Sequence, residues 1–566
     1  MEQSNKRNTT DPTGRSEEEM SAKWWKKAIV YQIYPKSFCD SNGDGIGDLN
    51  GITEKLDYLK SLGVDVLWIS PMYCSPMEDN GYDISDYYKV DPMFGSNEDM
   101  DRLIREAKKR DMKIILDLVV NHCSDEHIWF QKALADPSCE EADYFYFMRT
   151  KDGKEPNNWR SNFGGSVWTR LSDGRWYYHT FSKKQPDLNW ENPKLREKIY
   201  EMIRWWLEKG IAGFRIDAIT FIKKDMSFQS RKTEDGFRYP IENLTDYPGI
   251  GEFLTELKEQ CFNKYDCMTV AEAPGVGEEA FRRYAGEDGY FSMIFDFTWE
   301  DMKEEADKSS IEAVERLKKR IFDTQRATSR IGWNGIFLEN HDQSRCVNKY
   351  LEKENICKES ASALATLYFF LCGTPFIYEG QEIGMTNVSW NSIDEMDDVR
   401  AKGKYREAVE QKQDPQEVLD YFSELGRDNS RTPMQWSGEK NAGFTTGTPW
   451  IKVNENYKEI NVEAQEKDPH SLLSYYRKLS ALHHAEKYEE ILTQGTFRQI
   501  LEEVPAVLAY EREWEGRKLV VAVNFKPDVQ AIPKMGSGVL LNNYETLEKE
   551  ENRWILKPYQ AVVLKG

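Results

Sequence analysis

The sequence predicts an α/β fold, a (β/α)8 or TIM barrel with a small domain inserted after strand 3 and a C-terminal antiparallel β domain. Three observations support this prediction. Eight short, uniformly apolar segments recur along the chain, helix-like segments lie between them, and the last part of the chain changes to alternation. Strands buried on both faces of a parallel sheet are uniformly apolar, whereas alternation is typical of a sheet with one buried face.

The eight predicted barrel strands are rich in β-branched and aromatic residues. In chain order they are AIVYQIY (28–34), VDVLWIS (64–70), MKIILDLVV (112–120), IAGFRID (211–217), CMTVAE (267–272), YFSMIFDF (290–297), NGIFLEN (334–340) and PFIYEG (375–380). Eight such strands joined by helices form a closed barrel, and the active site of that architecture lies at the C-terminal ends of the strands.

Helix signals occupy the segments between these strands. ITEKLDYLKSLG spaces apolar residues from Ile52 to Leu62 along one face and stops at Gly63. NPKLREKIYEMIRWWLEKG has Pro193 in its first turn and stops at Gly210. Proline at the start and glycine just past the end are the usual asymmetry of helix termini. These helices are the expected crossovers between parallel strands.

Two longer stretches interrupt this rhythm. Residues 121–190, rich in Trp, Tyr, Asn and Gly, are predicted to form an inserted subdomain, and a polar excursion over about 385–455 follows the eighth strand. The catalytic barrel then comprises residues 23–120 and 191–487. Alternation in VLAYERE (507–513) and KLVVAVNF (518–525) predicts a β-sandwich domain over 488–566.

Composition limits the partners and the compartment. The formal net charge of -21 argues against a nucleic-acid or anionic membrane surface. The first 22 residues are polar and predict a disordered tail without a signal peptide or membrane helix. Nine cysteines without a CxxC pair predict reduced thiols in a cytoplasmic protein, with neither a disulfide framework nor a zinc site.

The turn DSNGDGIGDL (40–49) predicts a calcium site. Its candidate ligands are the side chains of Asp40, Asn42, Asp44 and Asp48 and the main-chain carbonyl of Ile46. Hard cations prefer such an all-oxygen shell. The EF-hand pattern fails at its twelfth position, Gly51, and a strand precedes the turn. We therefore expect a structural ion and no organic cofactor; the alternative is an acidic turn without metal.

Polar side chains cluster where four predicted strands end. They are Asp117, Asn121 and His122 in DLVVNH, Arg215 and Asp217 in GFRID, Glu272, and His341 and Asp342 in ENHDQ. Charged groups at such positions are costly to bury unless they are paired, and any single one could belong to a structural ion pair. Their convergence on one barrel mouth favours a catalytic site.

Asp217 and Glu272 are the candidate catalytic pair. Two carboxyl groups in different environments can divide acid and nucleophile roles between them, as glycoside hydrolysis requires. Arg215 lies two residues before Asp217 on the same strand face, so it is expected to keep that carboxylate ionised and in position.

The strand-end motifs DLVVNH, GFRIDAI, the Glu after the fifth strand and ENHD resemble the four signature regions of the α-amylase superfamily, glycoside hydrolase family 13. QPDLNW (185–190) resembles its fifth region as found in oligo-1,6-glucosidases and related α-glucosidases. Further matches to that subfamily are YQIYPKSF (31–38), DNGYDISDYY (79–88), EPNNW (155–159), FGGSVW (163–168) and RDNSRTPMQW (427–436). The similarity extends from about residue 24 to 460 and rests on the combination of motifs.

This resemblance implies a retaining, exo-acting α-glucosidase that acts on short α-1,6- or α-1,4-linked oligosaccharides such as isomaltose, maltose or sucrose. The implied roles are nucleophile for Asp217, general acid/base for Glu272, a sugar-binding carboxylate for Asp342, further sugar contacts for His122 and His341, and a clamp on the terminal glucose for Asp83 and Arg431. The resemblance also implies calcium in the first loop. Either histidine could instead be a packed structural residue.

Departures from the family pattern leave the linkage open. Ala218 follows the nucleophile, where relatives that prefer α-1,6 linkages usually carry Val and those that prefer α-1,4 linkages carry Thr or Ala. Glu339 and Ser344 replace a frequent Asn and Pro. One alternative is a sucrose isomerase or transglucosylase, whose Arg-Leu-Asp-Arg stretch is absent from 298–333. QPDLNW and EPNNW argue against a trehalose-6-phosphate hydrolase. The last alternative, a non-catalytic amylase-like binding protein of the transporter heavy-chain type, conflicts with the retained carboxylates.

Overall fold

Eight parallel strands close into a barrel in the computed structural model, which describes residues 23–233, 239–299 and 307–566. The strands are β1 (Val30–Ile33), β2 (Val66–Ile69), β3 (Lys113–Val119), β4 (Gly213–Asp217), β5 (Met268–Ala271), β6 (Met293–Phe295), β7 (Asn334–Ile336) and β8 (Thr374–Tyr378). Each overlaps one predicted apolar run, and β8 pairs with β1 to close the ring. The barrel prediction is confirmed. The predicted disordered tail, residues 1–22, lies outside the described residues.

Helices follow the barrel strands, and all but the last of them connect one strand to the next. They are Leu49–Glu54 with Leu56–Ser61, Asn97–Lys109, Pro193–Lys209, Ile250–Gln260, Glu278–Ala285, Ile311–Thr328, Lys358–Phe369 and Leu472–His483. The first one, predicted as continuous, is divided because the backbone of Lys55 (φ -97°, ψ 5°) leaves helical geometry. Pro193–Lys209 begins and ends as predicted: the Asn192 side chain accepts from two backbone N–H groups, and Gly210 is left-handed at φ 105°. None of the described helices is long and apolar enough to cross a membrane.

The insert after β3 forms small sheets around an aromatic cluster. It contains the helix Ile128–Ala135, a three-stranded antiparallel sheet of Phe147–Met148, Trp168–Arg170 and Trp176–Tyr178, and the short strand Trp159–Arg160, which pairs with Tyr239–Pro240. Its buried cluster includes Trp159 and Tyr178 but also Ala218 and Phe228. The segment after β4 therefore completes the core of the insert and ties it to the barrel mouth.

The excursion after β8 is mainly helical. Its helices and 3-10 turns are Gln381–Ile383, Ile393–Glu395, Val399–Glu410, Pro415–Leu425, Arg427–Asn429, Lys440–Gly443, Glu455–Lys458 and Val462–Glu466. A small cluster around Trp390, Leu419 and Phe422 is buried between its helices. This excursion brings the RDNSR motif back to the barrel mouth, as the ion pairs described below show.

Two antiparallel sheets form the C-terminal domain, as predicted. The strands are β9 (Thr496–Ile500), β10 (Val507–Trp514), β11 (Arg517–Asn524), β12 (Gln530–Pro533), β13 (Gly538–Asn542), β14 (Glu548–Glu550), β15 (Arg553–Leu556) and β16 (Ala561–Lys565). Their orders are β9-β10-β11-β16-β13 and β12-β15-β14. Side chains of both sheets, among them Val520, Ile532 and Leu556, share one buried cluster. The helix Glu486–Gln494 spans residue 488, so the strands begin only at Thr496.

Candidate active site

Two carboxylates leave neighbouring strands at the same height of the barrel mouth. Asp217 ends β4, and Glu272 follows Ala271 at the end of β5. Ile216 and Ala271 are register partners in the parallel pair of β4 and β5. The residues that follow them, Asp217 and Glu272, therefore lie side by side. Asp217 and Glu272 keep 11% and 24% of their side-chain surface exposed. Both therefore face the open end of the barrel, where the active sites of such barrels lie.

A single buried guanidinium group links these carboxylates. Nη1 of Arg215 lies 2.7 Å from Oδ1 of Asp217, and its Nη2 lies 2.8 Å from Oε2 of Glu272. The same Nη1 lies 2.6 Å from Oδ1 of Asp117 on β3. Asp117 in turn accepts from the indole N–H of Trp68 at 2.9 Å. Because arginine is a permanent donor with fixed geometry, it holds all three carboxylates in place.

The carboxyl group of Asp217 lies in a buried and highly charged environment. Burial raises the pKa of the Asp217 carboxyl well above its ordinary value; Arg215 lowers it, and the nearby Glu272, Asp117 and Asp342 raise it further. The Asp217 carboxyl therefore retains a proton to a higher pH than an isolated carboxyl group would, whereas the sequence-based expectation was that Arg215 keeps it ionised. One protonated and one ionised carboxyl group is the state that two-carboxylate glycoside hydrolysis needs.

Asp342 lies beside two arginines and a histidine. Its Oδ1 is 3.0 Å from Nη1 of Arg427 and 3.0 Å from Nη2 of Arg431, and its Oδ2 is 3.1 Å from Nε2 of His341. Desolvation by the surrounding protein would raise the pKa of the Asp342 carboxyl. The histidine and the two arginines outweigh this effect and hold that pKa well below its ordinary value. The side chain is 35% exposed, so an ionised acceptor for hydroxyl groups faces the mouth.

His341 is held between a barrel amide and an aromatic ring. Gln32 on β1 lies 2.8 Å from its Nδ1, and the Tyr82 ring stacks on it with centroids 5.2 Å apart and planes 6° apart. The hydroxyl of Tyr82 donates to Asp117 at 3.1 Å. The imidazole is therefore fixed beside Asp342. Sequence reasoning did not select Gln32 or Tyr82, although both lie within the motifs YQIYPKSF and DNGYDISDYY.

His122 is also buried at the mouth, but both of its ring nitrogens have protein neighbours. Nε2 lies 3.0 Å from the main-chain carbonyl of Tyr82, and Nδ1 lies 3.2 Å from the Asn121 amide. Burial lowers the pKa of His122, which favours the neutral ring. Its direct contact with a sugar stays a prediction.

The predicted clamp on the terminal glucose needs a correction. Asp83 is completely buried, and its two oxygens accept the backbone N–H groups of Glu78 and Asp79. It therefore shapes the turn and does not face the cleft. Asp79 instead pairs with Arg427 at 2.8 Å. These two residues begin the motifs DNGYD and RDNSR. Asp83 was thus the wrong member of the first motif for a position in the cleft, whereas the role of Arg431, which contacts Asp342, stays a prediction.

The two arginines of RDNSR make different contacts at the barrel mouth. Arg427 contacts Asp79, Asp342 and also Asp398 at 2.7 Å. Arg431 is completely buried and donates from Nε to the main-chain carbonyl of His341 at 2.9 Å. Arg431 thus braces the loop that carries Asp342, whereas Arg427 joins the carboxylates at the rim of the site.

Ala218, the residue after Asp217, adopts a left-handed backbone conformation at φ 43° and ψ 34°. This conformation is uncommon for residues other than Gly, Asn and Asp. It turns the backbone N–H of Ala218 toward Oε2 of Glu272, at 3.0 Å. The strain therefore supports the orientation of the second carboxylate, which agrees with the tendency of such conformations to occur at functional sites.

Glu339 has an internal partner. Its Oε1 lies 3.2 Å from Nη1 of the buried Arg345, and its Oε2 accepts the backbone N–H of Cys346. This ion pair closes the loop that contains His341 and Asp342. Ser344 lines a cavity of about 200 Å³ beside Asp342 and Arg427, next to the helix Pro415–Leu425.

The calcium-like turn has a regular hydrogen-bond pattern. The side chains of Asp40, Asn42 and Asp44 each accept the backbone N–H two residues further on, at 2.9–3.0 Å. Asp48 caps the helix Leu49–Glu54 by accepting from Gly51 at 2.7 Å. No three His, Cys, Asp or Glu side chains among the described residues are grouped as metal ligands. The donor set is entirely oxygen, which suits a hard cation, and the ligand set with Ile46 stays a prediction.

Comparison with known proteins identifies the family. Residues 32–495 match the family described as the alpha amylase catalytic domain. The chain belongs to the α-amylase family. It is 45% identical to the oligo-1,6-glucosidase of Bacillus cereus, over 96% of this chain and 100% of that protein. It is 42% identical to the trehalose-6-phosphate hydrolase of Bacillus subtilis, over 95% of this chain and 98% of that protein.

A solved structure has the same architecture throughout. The trehalulose synthase of Pseudomonas mesoacidophila superimposes with a TM-score of 0.90 at 38% identity, over 96% of this chain and 100% of that one. Family membership and the two carboxylates at the barrel mouth make this chain a glycoside hydrolase. The sequence-based identification of the family is confirmed.

Proposed function

We propose that this glycoside hydrolase is a retaining, exo-acting α-glucosidase that releases terminal glucose from short α-1,6- and α-1,4-linked gluco-oligosaccharides. The observation that carries the proposal is the contact of one guanidinium group, that of Arg215, with both Asp217 and Glu272. Two carboxyl groups held by one guanidinium are close together. Retaining glycosidases use such short spacing, whereas inverting ones leave room for a water molecule.

The reaction proceeds in two displacements. Asp217 attacks the anomeric carbon of the terminal glucose while the proton of Glu272 passes to the glycosidic oxygen, and the remaining sugar leaves as an alcohol. Glu272, now ionised, takes a proton from water, whose oxygen attacks the same carbon and releases Asp217. Glucose is released with its original α configuration, and both carboxyl groups return to their starting states.

The groups around Asp342 support recognition of one terminal glucose. Asp342 is an ionised acceptor, and Arg427 joins it to Asp79 across the mouth. Hydroxyl groups of a sugar can donate to the carboxylates and accept from the guanidinium. These ion pairs close the side of the site beyond the terminal glucose. A sugar chain cannot extend past that side, which supports exo action.

The preference for linkage rests on two observations. The relative from Bacillus cereus is named an oligo-1,6-glucosidase, which supports action on α-1,6 bonds. Ala218 offers less bulk beside the nucleophile than Val would, which supports acceptance of α-1,4 bonds as well. We propose activity on isomaltose, isomalto-oligosaccharides and maltose, with sucrose as a further substrate.

A sucrose isomerase is the second candidate, since the trehalulose synthase shares the fold over the whole chain. Isomerisation would begin with the same glucosyl-enzyme and end with fructose in place of water as the attacking group. The absence of the isomerases' Arg-Leu-Asp-Arg stretch from 298–333 favours hydrolysis.

One experiment separates these functions. Isomaltose, maltose and sucrose are each incubated with the full chain, and the products are followed from the first minute by proton NMR. We expect α-glucose as the first product from isomaltose and maltose. Initial β-glucose would contradict retention, and trehalulose or isomaltulose as the main product from sucrose would favour the isomerase.

Asp217→Asn and Glu272→Gln should each lower kcat by several orders of magnitude at an unchanged melting temperature, while Asp394→Asn, at an exposed site, serves as the control.

Two further parts of the proposal concern the environment of the enzyme. We propose that the turn at residues 40–48 binds a structural calcium ion that stabilises the barrel rim and takes no part in the chemistry. All nine cysteines are free, which supports a cytoplasmic location.

A further inference from the structure

A buried lysine lies behind the barrel mouth and is not used by the proposed reaction. Nζ of Lys224 is 2.8 Å from Oδ1 of Asn121, 2.5 Å from Oδ2 of Asp187 and 2.5 Å from the carbonyl oxygen of Phe221. An ammonium group donates three hydrogen bonds and accepts none, so these three acceptors satisfy it completely. The lysine joins the insert, through Asp187, to the end of β3.

This arrangement fixes the orientation of the Asn121 amide. Its oxygen faces the ammonium of Lys224, which can only donate, and its Nδ2 lies 3.2 Å from Oδ2 of Asp187, which can only accept. Turning the amide over would place an N–H group against the ammonium and an oxygen against the carboxylate. The ion pair between Lys224 and Asp187 thus determines which atom Asn121 presents to its neighbour, His122.

The imidazole of His122 must then carry its proton on Nε2. Nδ2 of Asn121 lies 3.2 Å from Nδ1 of His122 and donates to it, so Nδ1 is the unprotonated nitrogen. Nε2 lies 3.0 Å from the main-chain carbonyl of Tyr82, which can only accept. Only the Nε2–H tautomer satisfies both contacts.

Gln185 can satisfy its own hydrogen bonds under this assignment. Its Oε1 accepts the backbone N–H of Ser182 at 3.0 Å, which fixes its amide as well. Its two N–H hydrogens are then directed to Oδ2 of Asp79 at 3.2 Å and to the carbonyl of Tyr82 at 3.3 Å. The 3.2 Å approach of Gln185 Nε2 to Nε2 of His122 is therefore a contact between two donors. It requires no lone pair on Nε2.

We infer that Lys224 and Asp187, acting through Asn121, hold the proton of His122 on Nε2 and thereby position the loop of Tyr82 and Asp79. The carbonyl of Tyr82 receives hydrogen bonds from His122 and Gln185, and the Tyr82 ring stacks on His341. Asp79 reaches Arg427 from the same loop. Lys224 is a positioning residue that lies outside the reacting groups. Its effect on glucose binding rests on the proposed function, whereas the place of the proton does not.

The test is direct observation of the imidazole nitrogens. The full chain is prepared with ring-labelled 15N histidine, and long-range proton–nitrogen correlation spectra are recorded for its seven histidines. A His122→Gln variant identifies the signal of His122 by its loss. We expect Nδ1 of His122 in the range of an unprotonated ring nitrogen and Nε2 in that of a protonated one. The reverse assignment would overturn the inference.

An isosteric substitution tests the relay through Asn121. Asn121→Asp presents only acceptors, so Nδ1 of His122 should move into the protonated range, and kcat/KM on isomaltose should fall about five- to tenfold. Asn157→Asp is the matched control, since Asn157 is similarly buried in the insert and hydrogen bonds to Phe228, Trp159 and Trp168 but to no histidine. It should leave the His122 signals unchanged. Unchanged His122 signals in Asn121→Asp would overturn the relay.

Substitution of the lysine tests the origin of the relay. In Lys224→Met only Asp187 still orients the amide of Asn121, so the turned-over orientation should become partly populated and the Nδ1 signal of His122 should shift part of the way toward the protonated range. Lys224→Arg, which keeps a donor at this position, should restore part of the wild-type spectrum. If Lys224→Met does not fold, Lys224→Leu makes the same prediction, because leucine also removes every donor from this position. A wild-type spectrum in these neutral variants would contradict the role of Lys224. Absent glucosidase activity with the expected spectra would contradict the proposed function alone.

Discussion

Burial raises the pKa of the Asp83 carboxyl to about 7, against the backbone hydrogen bonds from Asp79 and Glu78 that lower it. The folded chain therefore binds a proton here that the unfolded chain has released above about pH 4. By linkage, this group makes the free energy of unfolding fall as pH rises from about 4 to about 7, by at most about 1.4 kcal/mol for each pH unit, and has no further effect above that range.

Asp83→Asn should remove this dependence on pH. The substitution also costs one acceptor for a backbone N–H, but that cost is the same at every pH. Urea unfolding of both proteins at pH 5 and pH 7.5 gives four free energies. We expect the advantage of the wild type over Asp83→Asn to be larger at pH 5 than at pH 7.5. An equal difference at both values would show that Asp83 titrates normally in the folded state.

Ala218→Val should alter both stability and linkage preference. A β-branched residue is strained at φ 43°, at a cost of about 1–3 kcal/mol, and its extra methyl groups meet the aromatic cluster of Trp159 and Tyr178. The stiffer α-1,4 substrate should suffer more from added bulk, so the ratio of kcat/KM on maltose to that on isomaltose should fall roughly tenfold to a hundredfold. Ala218→Gly, which tolerates the same φ, is the control. A ratio that is unchanged in the Val variant would contradict the steric explanation.

At the scale of single elements, the turn at residues 40–48 connects β1 to the excursion after β8. The backbone N–H of Asp40 donates to the carbonyl of Phe444 at 3.1 Å, and that of Trp450 donates to the carbonyl of Gly45 at 3.0 Å. Gly45 has φ 97°, and a Cβ there would lie 1.8 Å from the carbonyl oxygen of Thr448, so only glycine fits. An ion in this turn would therefore stabilise both segments.

Calcium should raise the melting temperature of chelator-treated protein. A ligand that binds only the folded state at a hundred times its Kd stabilises it by about 2.7 kcal/mol. Asp44→Ala should abolish this increase, whereas Asp394→Ala, which removes an exposed carboxylate elsewhere, should retain it. Scanning calorimetry with and without calcium measures the effect. Equal melting temperatures for the wild type under the two conditions would exclude a calcium site that exchanges with solution.

At the scale of the whole molecule, buried cations attach the C-terminal domain to the barrel. Arg512 on β10 is completely buried and donates to the carbonyls of Phe370, Leu492 and Gly495 at 2.8–3.1 Å. Lys318 of the helix Ile311–Thr328 donates to the carbonyl of Val504 at 2.9 Å. Because buried carbonyl groups need donors, these contacts make the two domains depend on each other.

Arg512→Met should lower the free energy of unfolding by roughly 2–4 kcal/mol, since three buried carbonyl groups lose their donor. Arg517→Met is the control, because Arg517 is exposed and its contacts, with Glu490 and the carbonyl of Lys487, lie at the surface. Chemical denaturation monitored by tryptophan fluorescence compares them, and kcat/KM at 25 °C should be unchanged in both. Equal losses in the two variants would show that Arg512 does not join the domains.

Local patterns of the chain were sufficient for the architecture and the main carboxylates. Uniformly apolar runs predicted all eight barrel strands, because a strand buried on both faces must be apolar along its whole length. Asp217, Glu272 and Asp342 could be selected because each follows such a run, and strand ends meet at one mouth. The break at Lys55 was missed, since a helix boundary depends on backbone geometry that apolar spacing does not report.

The sequence by itself determined the strands, their order along the chain and the carboxylates at their ends, since these follow from short-range periodicity. Only the tertiary structure decided which member of DNGYD and of RDNSR faces the cleft, because Asp79 and Arg427 meet across 348 positions. It likewise decided that Asp83 is buried, that Ala218 joins the core of the insert, and that Lys224 meets Asp187 and Asn121. Periodicity records which face of an element is buried, whereas the partner of a polar side chain depends on how distant elements pack.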